Sequence, residues 1–72
     1  PLADCAVGDR FRIARVIDQS SEFLRYLSQA GLAIGAQGSL VAHDAARELV
    51  TIRLGDHEKA LTREAAAKLM VR

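Results

Sequence analysis

Leu49-Val50-Thr51-Ile52-Arg53-Leu54-Gly55-Asp56-His57-Glu58-Lys59-Ala60-Leu61 is the stretch on which the reading of the fold turns. Val50, Ile52 and Leu54 alternate with Thr51 and Arg53, the period of two that a half-buried strand requires. Gly55 and Asp56 then make a tight turn, and His57 to Leu61 returns as the second strand of a hairpin. Downstream, Thr62 caps a short alanine-rich helical turn from Arg63 to about Lys68, and Leu69 to Val71 adds a last short strand. Upstream, Ser39 to His43 carries Leu40 and Val41 in a further strand. The turn before it is marked by Gly35 and Gly38, and Asp44 to Arg47 connects it to the hairpin.

Before Gly31 the period changes. Phe23, Leu24, Leu27 and Ala30 recur at three and four residues, one stripe of a helix. Ser20 is placed to cap it, and Glu22 in its first turn favours the positive end of the helix dipole. Gly31 in the left-handed C′ position puts Leu32 at C″, where it packs back on Leu27 in a Schellman motif. Nearer the start, Gly8 and Asp9 mark a turn. Phe11 and Ile13 then alternate with Arg10 and Arg12 in a strand reaching about Ile17. The expectation is a mainly β protein: a small, partly open SH3-like or OB-like barrel of about five strands. One helix follows the first strand and a short helical turn lies near the C-terminus.

A chain of 72 residues forms one domain, expected to span 1–72 as a unit, and 13 of its 36 apolar residues are alanine. The core is therefore thin, and a walled catalytic cleft has little material to be built from. The net charge of +1 and only three aromatic residues argue against direct nucleic-acid binding, whether by charge or by base stacking. Cys5 is the single cysteine, which excludes an internal disulfide and points to a reducing, cytoplasmic setting. No apolar run is long enough for a membrane span. Pro1 stands where an initiator methionine is expected, which suggests a domain excised from a longer protein.

Two histidines without an attendant serine or second cysteine supply no catalytic triad, and Gly35 with Gly38 lacks the lysine of a phosphate loop. Asp56, His57 and Glu58 are consecutive, so on a strand they point to opposite faces and chelate one ion poorly. Cys5 reads more simply as a small hydrophobe than as a ligand. Arg10, Arg12, Arg15 and Arg25 are expected to spread over more than one face; Arg25 and Tyr26 are the candidates for docking a partner. Tyr26 lies off the apolar stripe, where its ring can anchor a proline-containing segment or a neighbouring domain, or pack at the core edge.

The ordered landmarks Leu2, Gly8-Asp9, Arg15-Val16 with Asp18, Glu22 with Leu24-Arg25-Tyr26-Leu27, Gly31-Leu32 and Gly35 resemble the FeoA-type domain, an SH3-like barrel. Leu61, Glu64-Ala65 and Val71 extend the likeness to the tail. The resemblance implies one of two settings. One is the C-terminal domain of DtxR-type iron- or manganese-dependent repressors, which the run Glu22 to Leu27 resembles more closely. The other is the stand-alone FeoA adaptor of ferrous iron transport, acting on the transporter's cytoplasmic part. The first implies a non-enzymatic regulatory domain docking on the other domains of its own chain, the parent being a homodimer on DNA. It also implies Fe²⁺ or Mn²⁺ in the parent, with an ancillary ligand drawn from Asp18 to Glu22. Asp18 is the leading candidate and Glu22 the second. The Glu and Gln pair of one branch is missing, and both residues also read as a turn or cap residue and a helix-dipole partner.

Overall fold

Alternating apolar side chains at Phe11, Ile13 and Val16 turn Arg10–Val16 into β1, with these three buried and the residues between them facing outward. A computed structural model describes residues 1–72. After β1 come α1 (Ser21–Ala30), β2 (Gln37–Asp44), β3 (Leu49–Leu54), β4 (His57–Thr62), α2 (Arg63–Ala67) and β5 (Leu69–Val71). A single 3-10 turn, Leu2–Asp4, precedes them all. The strands form one antiparallel sheet in the order β4-β3-β2-β1-β5. Breaks in register between Leu40 and Ala42, and between Ile13 and Arg15, mark irregularities of the kind that bend a sheet.

The expected mainly β, partly open architecture is the observed one: the sheet stays unclosed, because its edge strands β4 and β5 do not pair. In sequence α2 bridges that opening, with Ala65 and Ala66 buried, and small side chains allow the close approach. The expected strand Ser39 to His43 is longer at both ends. It stops at Asp44, whose Oδ1 accepts the Arg47 N–H at 3.1 Å and draws the chain into the turn.

The core is a single cluster of twelve residues with at least one member from every strand and helix, including Leu27 of α1 and Ala66 of α2. No polar side chain is buried in it. Leu2 is fully buried there too. Its 3-10 turn was not foreseen, because three residues carry no periodicity to read. The terminal motif of α1 forms as expected: Gly31 has φ 77°, and the Leu32 N–H donates to the Leu27 carbonyl at 2.8 Å. Ser20 and Thr62 cap the two helices, accepting from the N–H groups of Phe23 and Ala65.

Gly38 is required by close approach. A Cβ there would overlap the Arg53 carbonyl oxygen and lie 2.9 Å from Leu54 Cδ2 and 3.0 Å from Phe11 Cζ. The first neighbour is backbone, so β3 itself would have to move. Gly38→Ala is expected to lower stability by about 1–3 kcal/mol, read from urea unfolding midpoints. An unchanged midpoint would contradict the close packing of β2 on β3.

Candidate functional site

The link between β1 and α1 is held by side chains before the helix begins. Gln19 Nε2 donates to the Val16 carbonyl at 2.7 Å, and the Ser20 N–H donates to Asp18 Oδ1 at 2.8 Å, a local turn that sets Ser20 at the cap. The other oxygen, Asp18 Oδ2, accepts from Lys68 Nζ at 2.9 Å. Lys68 closes α2, and its ammonium also sits over the Phe23 ring, 5.0 Å from the centroid. Phe23 stacks in turn on Tyr26, with centroids 6.1 Å apart. Asp18, Lys68, Phe23 and Tyr26 thus join the start of α1 to the end of α2.

This geometry shifts two protonation equilibria. The Asp18 carboxyl is held down from 3.8 to about 2, first by the Ser20 N–H and then by the Lys68 ammonium. Lys68 moves upward from 10.5, chiefly through its hydrogen bond to Asp18. The Cys5 thiol, partly buried against the core, is raised from 9.0 by desolvation and then by Asp9, which keeps it protonated at neutral pH.

The two residues expected to offer metal ligands stand differently. Both Asp18 oxygens have partners within the domain, whereas Glu22 is exposed in the first turn of α1. No three His, Cys, Asp or Glu side chains converge anywhere in the chain. The residues present therefore do not assemble a metal shell. His43, Asp56 and Glu58 are each engaged locally: His43 Nε2 bonds the Cys5 carbonyl, Asp56 pairs with His57, and Glu58 pairs with Arg53.

The two docking candidates occupy different sides of α1. Tyr26 is 39% exposed beside Phe23, while Arg25, two residues from buried Leu27, points away from the sheet. The larger feature lies on the opposite flank from Tyr26. Val16, Leu24, Leu27, Leu32 and Ile34 line an apolar groove of about 430 Å³, with Gln19 and Ser28 as its two polar residues. Ile34 is 67% exposed and Ile17, next to Val16, is 57% exposed. The helical stripe included Leu24 as a core residue. In fact the sheet covers only Leu27 fully, and Leu24 is left on the rim. The available signal was the presence of Ile17 and Ile34 just outside regular elements, where polar residues are the rule.

A five-stranded antiparallel sheet bent around one core, with a helix inserted after the first strand, defines a small SH3-like domain. The chain belongs to the FeoA domain family, whose model matches residues 1–72. The metal-dependent transcriptional regulator MtsR contains a similar structure, at 27% identity and a TM-score of 0.84, covering 97% of this chain and 34% of that one. A manganese-dependent transcriptional repressor in complex with manganese gives a TM-score of 0.91 at 22% identity, covering 99% and 34%. The iron uptake regulatory protein FeoA gives 0.90 at 22% identity, covering 100% of this chain and 93% of that one. The chain thus spans about a third of the length of the first regulators it matches. No protein of curated function matches the sequence. No helix is long and apolar enough to cross a membrane.

Because the Asp18 carboxyl titrates lower in the folded chain, its contribution to stability is complete above about pH 3.8 and is lost as pH falls toward 2. The Lys68 contribution is complete below pH 10.5 and is lost as pH rises through its elevated folded value. Asp18→Asn keeps an acceptor for Ser20 and removes the charge. Its Tm should fall below that of the unaltered chain at neutral pH, with the gap closing between about pH 4 and 2. A gap that persisted unchanged at pH 2 would mean that something other than the ion pair was lost.

Proposed function

We propose that this chain is a non-catalytic regulatory and docking domain of a metal-dependent bacterial repressor, packing on the DNA-binding and dimerisation domains of its own chain in the cytoplasm. The apolar groove beside α1 carries the reading. Leu24 and Ile34 form an exposed apolar rim of the kind that marks an interaction surface. The match to about a third of the regulators' length supports it, because the remainder of such a protein supplies the surface that covers the rim. The parent acts as a homodimer on DNA and responds to Fe²⁺ or Mn²⁺ bound mainly outside this domain. The domain itself makes no DNA contact. Asp18 or Glu22 adds an ancillary ligand, and Asp18 must leave Lys68 to do so. The contribution of docking is a coupling free energy of about 1–3 kcal/mol between metal and DNA sites.

The 93% coverage of FeoA favours a second reading, a stand-alone adaptor of ferrous iron transport whose groove takes the transporter's cytoplasmic part. Leu24→Asp with Ile34→Asp, made in the complete reading frame, separates the two. In a repressor the double variant stays folded, and half-maximal operator binding needs about fivefold more metal or beyond. An unchanged metal dependence would sink the docking role. A frame without a DNA-binding domain passes the test to the adaptor reading, where the same variant should no longer co-purify with the transporter's cytoplasmic part.

Metal contact by the domain itself is checked by amide NMR with paramagnetic Mn²⁺. The unaltered chain should show no selective broadening at Asp18 to Glu22, whereas Lys68→Ala, which frees Asp18 Oδ2, should show it. Equal spectra for both proteins would show that Asp18, even freed from Lys68, holds no Mn²⁺ in the domain by itself.

A further inference from the structure

Strand register gathers on one side of the sheet arginines that are far apart in sequence. Arg10 lies opposite Ser39, and Ser39 lies opposite Arg53, so the three form one row across β1, β2 and β3. Directly opposed residues of an antiparallel pair share a face. Phe11 and Ile13 turn into the core, which leaves Arg10 and Arg12 outside. One step along β1, Arg12 lies opposite Gln37. On its other side Arg12 exchanges backbone hydrogen bonds of 3.1 and 3.0 Å with Arg72. All four arginines are exposed.

The one side-chain carboxylate in these rows is Glu58, paired with Arg53 at 2.7 Å. Arg10, Arg12 and Arg72 take part in no salt bridge. Between Arg10 and Arg53 lies a depression of about 250 Å³, lined also by Phe11, Gln37, Gly38, Ser39 and Gly55. Two guanidinium groups with a hydroxyl and an amide between them suit a planar carboxylate, which arginine binds through two parallel hydrogen bonds. Arg12 stands about 7 Å farther along β1, the spacing of same-side residues in an extended chain. The face presents no exposed aromatic ring for base stacking: Phe11, at the floor of the depression, is 4% exposed, and Phe23 and Tyr26 belong to α1. Three unpaired cations also fall well short of the charge with which proteins track a duplex.

We propose that the outer face of β1, β2 and β3 docks an extended acidic segment of a partner protein. One carboxylate sits between Arg10 and Arg53, over Ser39 and Gln37, and another lies against Arg12. The surface is separate from the apolar groove and does not depend on which parent protein carries the domain.

The test is an amide NMR titration of the 72-residue chain with a deca-glutamate peptide at low salt. Shifts should concentrate at Arg10 to Arg12, Gln37 to Ser39 and Arg53 to Gly55, and fade as salt is raised. The pair Arg10→Ala and Arg12→Ala should weaken binding by about tenfold, while Arg25→Ala and Arg63→Ala together change it by less than about twofold. Equal weakening by the two pairs would reveal diffuse charge attraction and overturn the proposal, as would shifts absent from the named amides. Tighter binding of a short DNA duplex at the same amides would assign the face to nucleic acid instead. Inorganic phosphate as effective as the peptide would reduce it to a single-anion site, which also overturns the proposal.

Discussion

Lys68 ties the end of α2 to the start of α1. Strands β4 and β5 do not pair, α2 is only five residues long, and α1 buries a single residue, Leu27, in the core. A ten-residue helix is marginal by itself and needs an anchor as well as an apolar face. Leu27 supplies the apolar contact. Lys68 supplies the anchor, reaching the Asp18 carboxylate ahead of the helix and the Phe23 ring on it. Once α1 is fixed in that position, Leu24 falls on the rim, and the groove toward Ile34 follows.

Much of this was legible in the sequence because it rests on local rules. The alternation in Leu49 to Leu54, the helical stripe ending at Gly31 and the cap at Ser20 each state their conformation within a few residues. The Schellman contact between Leu27 and Leu32 could be placed residue by residue. Two things were illegible. The role of Asp18 depends on Lys68, 50 residues away, so the sequence could present it equally as a ligand or a turn residue. The width of the apolar arc that a helix buries is set by the shape of the sheet beneath it. Hence Leu24 looked like core.

Charge behaved in the same way. A whole-chain balance of +1 argues against any strong field, and as a sum it is correct. Pairing across strands nevertheless redistributes that sum. Acidic groups are drawn into caps, turns and local pairs at Asp9, Asp18, Asp44 and Glu58. Basic groups from both ends of the chain are stacked on one sheet face. The expectation that Arg10, Arg12, Arg15 and Arg25 spread over more than one face holds, with Arg25 on α1 and Arg10 and Arg12 on the sheet. What it lacked was Arg53 and Arg72, delivered by register.

The ion pair between Asp18 and Lys68 also bears on how the chain reaches this state. The β3-β4 hairpin carries its own pair, Arg53 and Glu58, only 5 residues apart, whereas the clasp on α1 spans 50. Closing the longer loop costs about 2 kcal/mol more in chain entropy, a term that falls almost wholly before the contact is made. Contacts of this kind slow folding more than they weaken the folded state. The hairpin is therefore the natural nucleus. The surface beside α1 takes shape only when the last strand arrives, so an incompletely synthesised chain carries the meander without the groove.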